Sequence, residues 1–466
     1  MYQTTFMPDY SSTDTIAAIA TAPGEGAVAI VRLSGPDTYA MVDRLFRCPS
    51  PPPSERPPST FVYGHVLAPD GEVLDDALLL IFRAPHSYTG EDAVEIQCHG
   101  GTQSARRILA ALISTGARQA EPGEFTKRAF CNGRIDLTQA EAVLDLIHAR
   151  SERAARLATA QLEHALGRRI QRLYDDLIQA AADVEAMLDF PDDELPQTVA
   201  DIIQAHLSSV VEQIQTLLAT WKEGHLLRDG ARVVIAGSPN VGKSTLLNLL
   251  AGRNRAIVSP HPGTTRDTIE ESVTFQGLPI QLIDTAGLRD APCEIEQEGI
   301  RRTRHALSQA DLCLCLLDGS LPLSADEQAF LDAHNPLHVL VLINKTDLGR
   351  RITPDQLRPF EAIPVSLLQN PHPSELIQRI VHRLLPSTSD TGHEPFAVSE
   401  RHKSSLSIAL NNLHQAISIL SSRSEAEYVL AAAHVRSAVE PIGFILGKNC
   451  PDDMLDSIFS RFCVGK

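Results

Sequence analysis

The segment 237–244, which reads Gly-Ser-Pro-Asn-Val-Gly-Lys-Ser, constrains the fold of this chain more than any other. It follows an apolar run at 232–236 and precedes an apolar helical pattern at 245–250, so it predicts a loop between a strand and a helix. Glycines let backbone N–H groups surround phosphate oxygens, while a lysine adds positive charge and a hydroxyl binds magnesium. The sequence therefore predicts a nucleotide-binding α/β domain whose loop contacts come from Asn240, Val241, Gly242, Lys243, Ser244 and Thr245.

Two further polar segments also follow apolar runs. The first contains Asp284, Thr285, Ala286 and Gly287. Its carboxylate can act on the magnesium side of the site, and the amide of its glycine can reach a terminal phosphate. The second contains Asn344, Lys345, Thr346 and Asp347. The last carboxylate can accept hydrogen bonds from N1 and the amine of guanine, whereas adenine lacks that donor pair. Each segment alone is also typical of an ordinary turn, but the three in this order predict a GTPase domain.

Two less regular segments complete the predicted nucleotide site. Between the first two motifs lie Ser259, Pro260, His261, Pro262, Gly263, Thr264 and Thr265. The last threonine can bind magnesium while a γ-phosphate is present. After a short predicted strand at 362–365 come Ser366, Leu367 and Leu368, whose backbone amides can contact the base. Leucine at the second of these positions departs from the more common alanine.

The predicted site lacks the usual residue that positions water. Ras-type switches place a glutamine directly after the Asp-x-x-Gly motif, and this chain has Leu288 there. An apolar side chain cannot orient water. The amide oxygen of Asn240 can instead hold a monovalent cation near the phosphates, with backbone oxygens of 259–264 around it. The alternative is that this asparagine only satisfies its own loop.

Composition limits the classes of protein that fit. With 41 basic and 58 acidic residues the net charge is −17, which argues against broad coating of nucleic acid. A local basic patch stays open, and the arginines at 150, 153, 156, 168 and 169 are candidates, although a solvated helix face is the favoured interpretation of them. The eight cysteines lack disulfide-framework spacing, and Cys313 and Cys315 fit a buried strand. No signal peptide and no apolar run near the roughly 20 residues of a membrane span is expected, so the prediction is a cytoplasmic protein without membrane contact.

A chain of 466 residues is long enough for about three domains. The predicted fold is multidomain: an N-terminal α+β domain, an all-α helical domain, and an α/β P-loop GTPase domain of Ras-like type inserted in the helical domain. Strands are expected near 27–33, 61–66, 77–82 and 93–97, with a helix at 102–114. Helices are expected from a capping box at Thr138 and Glu141 to about 188, then over 199–227, 399–420, 425–439 and 452–462. A connector is expected at 386–395. The predicted domains are 1–130, 131–229, 230–385 and 386–466.

Over essentially its full length the chain resembles the tRNA modification GTPase MnmE (TrmE) family. The resemblance rests on 15–35, 90–101 and 122–147, on the GTPase motifs, and on the terminal Phe-Cys-Val-Gly-Lys at 462–466. It implies an N-terminal domain that binds a tetrahydrofolate derivative and forms a homodimer. It also implies a GTPase domain that dimerises and is activated by potassium. With an FAD-dependent MnmG-type partner, in a heterotetramer, such proteins add a carboxymethylaminomethyl-type group to carbon five of the wobble uridine of certain tRNAs. Glycine or ammonium supplies the amine.

The resemblance also assigns residues. It implies potassium ligation by Asn240, Ser259, His261 and Thr264, and magnesium ligation by Ser244 and Thr265. Glu296 matches a glutamate that orients the attacking water, although a solvated carboxylate is the plain alternative. Arg32, Glu95, Arg134 and Lys466 match the folate-binding positions, and Arg134 stands where some members have lysine. Cys463 is either a thiol used in the modification chemistry or a buried anchor of the tail.

Two other functions remain open at the level of sequence. One is a GTP-dependent switch or ribosome-assembly factor without modification activity, which can share the same GTPase motifs. The other is a stand-alone folate-dependent methyltransferase with a regulatory GTPase. The segment around Arg32 and Glu95 and the Cys463 tail favour the modification enzyme, because a pure switch needs neither.

Overall fold

The computed structural model describes residues 14–189, 197–252, 270–284, 305–369, 372–385, 398–422 and 425–466. These residues form two compact units. Of the described residues, those within 14–144, 161–214 and 404–466 belong to the first unit, and those within 145–160 and 215–403 belong to the second.

The first unit contains a seven-stranded sheet in the order β3-β4-β5-β6-β2-β1-β7. Its strands are β1 (Ile16–Ile19), β2 (Val28–Ser34), β3 (Phe46–Arg47), β4 (Thr60–Leu67), β5 (Val73–Phe82), β6 (Ala93–His99) and β7 (Arg118–Gln119). Neighbouring strands are antiparallel except β1 and β7. Ala29, Val31 and Leu33 alternate into an apolar core, as a half-buried strand requires. The strands and the helix expected in this region are confirmed.

The described helices are, in chain order, α1 (Thr38–Leu45), α2 (Thr102–Ser114), α3 (Glu124–Cys131), α4 (Leu137–His148), α5 (Glu152–Leu162), α6 (Ala165–Asp189), α7 (Gln197–Asp229), α8 (Lys243–Ala251), α9 (Ala325–Asp332), α10 (Pro373–Leu384), α11 (Glu400–Ser422), α12 (Glu425–Leu446) and α13 (Asp452–Phe459). Within the first unit, α6 packs against α12, so helical segments from before and after the GTPase motifs lie together.

The second face of the seven-stranded sheet is only partly covered. Phe125 of α3 packs against Ile16 and Ala18 of β1. On β4, by contrast, Phe61 and Tyr63 are 71% and 56% exposed. Phe61 lies opposite Leu80, which lies opposite Glu95, so these side chains share one face.

The predicted capping box at Thr138 and Glu141 is wrong. Helix α4 begins one residue earlier, and Asp136 caps it: its Oδ1 accepts from the backbone N–H of Gln139 at 2.9 Å. The Gln139 side chain in turn accepts from the Asp136 N–H at 3.1 Å. The Thr138 hydroxyl donates to the same carboxylate at 2.6 Å. A carboxylate is the stronger acceptor beside the positive end of a helix, which explains the shift.

The predicted helix end at residue 439 is also wrong, because α12 continues to Leu446 with Pro441 inside it. The stretch Tyr428–Leu446 has 19 residues and a mean hydropathy of 1.4, with half of its most apolar window buried. By length and composition it is apolar enough to cross a membrane, contrary to the sequence expectation. Its buried residues include Ala438 and Ile442, and a core helix of a bundle has the same composition.

The second unit contains a six-stranded sheet in the order β13-β12-β11-β8-β10-β9. Its strands are β8 (Ala231–Gly237), β9 (Glu270–Phe275), β10 (Leu278–Asp284), β11 (Leu312–Asp318), β12 (Val339–Asn344) and β13 (Glu361–Pro364). All pairs are parallel except β9 with β10. Later strands lie on both sides of β8, so the loop after β8 sits where ligands bind in such sheets.

The two cysteines of β11 have the packing role that the sequence predicted. Cys313 and Cys315 are 4% and 3% exposed and belong to an apolar cluster. Burial raises the pKa of Cys315 to about 12, so this thiol stays protonated at neutral pH.

Candidate functional site

The loop between β8 and α8 has the backbone that phosphate binding requires. Gly237, Asn240 and Gly242 adopt positive φ angles of 149°, 61° and 109°. A Cβ on Gly237 would lie 2.4 Å from the Leu316 carbonyl oxygen, and one on Gly242 would lie 2.6 Å from Asn344 Nδ2. Both glycines are therefore required by packing as well as by conformation.

The lysine of this loop is held at its centre. Lys243 is 8% exposed, and its Nζ donates to the carbonyl oxygens of Gly237 and Ser238 at 3.0 and 2.9 Å. Ser244 follows in the first turn of α8, where a hydroxyl and backbone N–H groups favour a phosphate with its magnesium. Asp284 ends β10, the neighbour of β8, and is 3% exposed. Ser244, after β8, and Asp284, at the end of β10, are the two residues expected beside magnesium, and their strands are neighbours in the sheet.

Asn344 ties three predicted segments together. Its Nδ2 donates to the Val241 carbonyl oxygen at 2.8 Å, and its Oδ1 accepts from the Leu367 N–H at 3.1 Å. The Leu367 side chain, 6% exposed, packs in the core of the sheet, so leucine at this position fills space there. The Ser366 hydroxyl donates to Asp347 Oδ1 at 2.7 Å and orients the carboxylate predicted to bind guanine.

Two residues that support this site escaped the sequence prediction. Asp318 Oδ2 accepts from Lys345 Nζ at 2.7 Å, and Glu327 Oε1 accepts from the Ser238 hydroxyl at 2.9 Å. Burial alone would raise the pKa of Asp318, but hydrogen bonds from Lys345 and Ser320 outweigh it and lower that pKa. For Asp318 the sequence does contain a signal, because this residue ends a buried strand in the same way as Asp284 and Asn344.

Asn240 is available for a ligand. It is exposed, and its side chain makes no hydrogen bond with any residue in the described ranges. The alternative that this amide satisfies its own loop therefore finds no support in the geometry. A neutral amide oxygen suits a monovalent cation.

Several predicted site residues lie outside the described residues. These are Ser259, Pro260, His261, Pro262, Gly263, Thr264, Thr265, Thr285, Ala286, Gly287 and Glu296. Their roles stay predictions.

A second site lies on the partly covered face of the seven-stranded sheet. Arg32 donates through Nε and Nη2 to Glu95 Oε1 at 3.0 and 2.7 Å, and both side chains are less than a fifth exposed. The guanidinium carbon lies 5.5 Å from the ring centroids of both Tyr88 and Phe125. Glu95 Oε2 has no hydrogen bond within the described part of the chain. The pair therefore offers a carboxylate acceptor and guanidinium donors beside two aromatic rings, which fits the polar edge of a pterin.

The C-terminal tail reaches this second site. Val464 forms a bridge with Pro122, and the Phe125 N–H donates to the Lys466 carbonyl oxygen at 3.2 Å. Arg32 Nη1 lies 3.4 Å from the Gly465 carbonyl oxygen. Cys463 is exposed, so burial of its thiol does not hold the tail; the backbone contacts and the buried side chain of Phe462 do. The buried-anchor alternative for this cysteine is wrong.

Arg134 lies against the loop that carries Tyr88, because its Nε donates to the Ser87 carbonyl oxygen at 3.1 Å. The structure thus brings Arg32, Glu95 and the tail together, and it places Arg134 beside a neighbouring loop. Sequence reasoning missed the two aromatic residues around Arg32, since they come from segments distant in the chain.

A buried network supports the same face. Arg128, with a side chain 7% exposed, pairs with Asp14 at 2.8 Å, Glu124 at 3.1 Å and Glu91 at 3.3 Å. Burial alone would raise the pKa of Glu124, but hydrogen bonds from Arg118, a backbone N–H and Arg128 outweigh it and lower that pKa. The network fixes α3, and with it Phe125, against β1.

Comparisons with known proteins cover nearly the whole chain. A family model described as the MnmE helical domain matches residues 137–463, and one described as the GTP-binding protein TrmE N-terminus matches 15–134. The chain is 44% identical to the tRNA modification GTPase MnmE of Geobacter sulfurreducens, over 97% of this chain and 99% of that protein. It is 41% identical to the tRNA modification GTPase MnmE of Geobacillus kaustophilus, again over 97% and 99% of the two chains. A solved structure of the G domain of the T. maritima FeoB iron transporter matches 33% of this chain and 98% of that chain, with 25% identity and a TM-score of 0.25.

Proposed function

The chain belongs to the MnmE family of tRNA modification GTPases, and on that premise we propose a specific reaction for it. The protein hydrolyses GTP with potassium activation. Together with an FAD-dependent MnmG-type partner, it adds a carboxymethylaminomethyl-type group to carbon five of the wobble uridine, using a tetrahydrofolate one-carbon unit. The observation that carries the proposal is the meeting of Arg32, Glu95 and the C-terminal tail on one face, in a chain that also has a complete guanine-type motif. A switch or ribosome-assembly factor has no need of such a face.

In the GTPase site the residues of this chain position charge and base. Lys243 brings its ammonium to the phosphate loop, while Asn344 fixes that loop relative to the base-binding segments. Asp347, oriented by Ser366, accepts the two N–H donors of guanine. Bound magnesium and potassium would supply positive charge at the phosphates. Ser244 with Thr265 would hold the magnesium ion. Asn240, Ser259, His261 and Thr264 would hold the potassium ion, and Glu296 would orient the water.

In the second site Glu95 and Arg32 would bind the pterin. The Oε2 of the carboxylate would accept hydrogen bonds from N–H groups of the ring, and the guanidinium would donate to a ring acceptor. The rings of Tyr88 and Phe125 flank the guanidinium of Arg32, each with its centroid 5.5 Å from the guanidinium carbon. Arg134 and Lys466 add positive charge near the carrier, and Cys463 stands exposed in the tail. The tetrahydrofolate derivative supplies the one-carbon unit when bound.

The proposal includes a homodimer formed through the first unit. Three apolar residues on the sheet face that carries Glu95 are exposed: Phe61 by 71%, Tyr63 by 56% and Leu78 by 38%. Burying such a patch against a second copy would remove it from water. We also propose a folate-binding domain at 1–130, a helical domain made of 131–229 and 386–466, and a GTPase domain at 230–385. The protein is proposed to be cytoplasmic and to form a heterotetramer with its partner.

Potassium dependence can be tested alone. Replacing potassium by sodium should lower GTP turnover strongly in the wild type and much less in Asn240→Ala. Glu296→Ala should lower turnover while leaving GTP affinity largely intact. Equal rates in both salts for the wild type would remove the role of Asn240.

The whole reaction is tested by reconstitution. Purified protein, its FAD-dependent partner, unmodified tRNA, GTP, potassium, a reduced folate one-carbon donor, NADH and glycine are combined, and nucleosides are analysed by mass spectrometry. We expect a modified uridine that disappears when GTP or the folate donor is left out, and with Arg32→Gln. No modified uridine from the complete mixture, despite active GTP hydrolysis, would favour the switch function.

A further inference from the structure

The phosphate loop between β8 and α8 is exposed in its middle and tied at both ends. Residues 239–240 are exposed, whereas the Val241 carbonyl oxygen accepts from Asn344 Nδ2 at 2.8 Å. At the other end, the Ser238 hydroxyl donates to Glu327 Oε1 at 2.9 Å. Asn344 belongs to the guanine-type motif, but Glu327 belongs to none of the GTPase motifs of this chain.

Glu327 uses its two carboxylate oxygens for two different tasks. Oε2 accepts from the backbone N–H and the hydroxyl of Ser324 at 3.0 and 2.9 Å, and the Glu327 N–H donates to that hydroxyl at 3.3 Å. These contacts form the capping box at the start of α9. Oε1 takes no part in the cap and accepts from Ser238. The contact with the phosphate loop is therefore additional to what the helix itself requires.

Helix α9 is a fixed support for this carboxylate. Its Leu331 is 2% exposed and packs in an apolar cluster with the two cysteines of β11. Strand β11 pairs with β8, which leads into the phosphate loop, and a Cβ on Gly237 would lie 2.4 Å from the Leu316 carbonyl oxygen. Because the loop begins against β11 and α9 is anchored to the same strand, Ser238 and Glu327 keep their relative position.

The tether reaches the lysine of the loop through a single residue. Lys243 Nζ donates to the Ser238 carbonyl oxygen at 2.9 Å and to the Gly237 carbonyl oxygen at 3.0 Å. Because Glu327 holds the hydroxyl of Ser238, it also restricts the carbonyl group that the ammonium contacts. Without the tether the first half of the loop would sample more conformations, of which only a fraction would match the phosphates of a nucleotide.

We propose that Glu327 is a positioning residue for GTP binding. Through Ser238 it holds the first half of the phosphate loop, and with it the contacts of Lys243, in the arrangement that receives the phosphates. The proposal rests on the GTPase part of the proposed function. A loop that is already held in the free protein loses less conformational entropy when the nucleotide binds, so the tether contributes to affinity without touching the nucleotide.

Four single variants of the full-length protein separate the tether from the helix cap. Ser238→Ala removes the tether and keeps the cap, whereas the matched control Ser324→Ala weakens the cap and keeps the tether. Each of these deletes one hydroxyl that donates to Glu327. Glu327→Ala removes both contacts. Glu327→Gln can keep both, because glutamine also closes a capping box and its NH2 group can donate to the Ser238 hydroxyl.

Affinity for a fluorescent GDP analogue is the first readout. We expect Ser238→Ala and Glu327→Ala to weaken binding by about fivefold, which corresponds to one net hydrogen bond lost from the free loop. Ser324→Ala should bind as the wild type does, although urea unfolding should show that the second unit is less stable. Glu327→Gln should stay within about twofold of the wild type. The double variant Ser238→Ala/Glu327→Ala should bind no more weakly than either single variant, because all three lose the same contact.

Hydrogen exchange of the backbone amides at 237–244, measured by mass spectrometry without nucleotide, is the second readout. Exchange should be faster in Ser238→Ala and Glu327→Ala than in the wild type and Ser324→Ala. Equal exchange in all four proteins would show that Glu327 does not hold the loop and would overturn the assignment.

Two binding results would also overturn the assignment. If Ser238→Ala weakens the analogue and Glu327→Ala does not, Ser238 contacts the nucleotide directly. If Ser324→Ala weakens binding as much as Ser238→Ala, the stability of α9 explains the effect. Failure of the wild type to bind any guanine nucleotide would instead count against the GTPase part of the proposed function, and the exchange rates would still decide whether Glu327 holds the loop.

Discussion

The side chain of Asn344 is predicted to hold the nucleotide site together, and its removal gives the sharpest test of the site geometry. The residue is 5% exposed and bridges the Val241 carbonyl oxygen at 2.8 Å and the Leu367 N–H at 3.1 Å. Asn344→Ala leaves both backbone groups without partners in a buried position. Each such group costs about 1–3 kcal/mol, and entry of water offsets part of that sum. We expect a loss of about 3 kcal/mol in the free energy of unfolding.

The matched control is Asn335→Ala. This exposed asparagine also accepts a backbone hydrogen bond, from Leu337 N–H at 2.9 Å, at the start of a short 3-10 turn. Losing an exposed cap of this kind costs about 1 kcal/mol.

Urea unfolding of the second unit can be followed by fluorescence, since Trp221 is the one tryptophan of the chain and lies in that unit. Affinity for a fluorescent GDP analogue should also fall by at least about tenfold in Asn344→Ala, because the phosphate loop loses its tie to the base-binding segments. The reasoning is refuted if Asn344→Ala is no less stable than Asn335→Ala and binds nucleotide as the wild type does.

Three further variants test other parts of the account. Asp347→Asn should weaken GTP binding by about a hundredfold, because one hydrogen bond is replaced by two facing donors and the other is no longer made to a carboxylate. It should improve XTP binding, since the xanthine carbonyl can accept from the new amide; competition binding with both nucleotides checks this, and unchanged preference for GTP contradicts it. Gly100→Ala should lower the free energy of unfolding by about 3 kcal/mol, since its Cβ would lie 1.8 Å from a carbonyl oxygen. In the control Gly26→Ala the nearest atom is 3.9 Å away, and the loss should be less than about 1 kcal/mol. Equal stabilities of the two variants would show that the loop between β1 and β2 relaxes freely. The pKa of Glu124 is lowered on folding, so its stabilisation is complete above its ordinary pKa of 4.5 and is lost as the pH falls through the lower folded value. Arg118→Gln should therefore reduce stability at pH 7, and its difference from the wild type should narrow at acid pH in urea titrations followed by circular dichroism; a pH-independent difference would contradict the ion-pair account.

The sequence was informative wherever the signal is local. Polar residues directly after buried strands, such as Asp284 and Asn344, mark the edge of a parallel sheet where ligands bind, and the fold confirms their placement. The alternation of β2 predicts its buried face in the same way. Leu367 was noted as a departure, and its core packing explains why leucine is accepted.

Features that depend on distant segments could not be predicted from residue patterns; only the family resemblance grouped Arg32 and Glu95 with Lys466 of the tail. The aromatic neighbours of Arg32 come from a loop and from α3, and the contact with Gly465 joins residues 433 positions apart. No periodicity carries such information. The capping of α4 by Asp136 was missed because several polar residues compete within one turn, and local propensity does not rank them.

We propose that this protein takes part in modifying tRNA through both its GTPase domain and its tail. Mass spectrometry of nucleosides from bulk tRNA of cells that lack the protein tests this directly. We expect uridines with an aminomethyl-type group on carbon five to disappear. They should return with the intact protein but not with Lys243→Ala or Cys463→Ser. An unchanged nucleoside profile in the deletion strain would contradict a role in tRNA modification and leave a GTPase with another client.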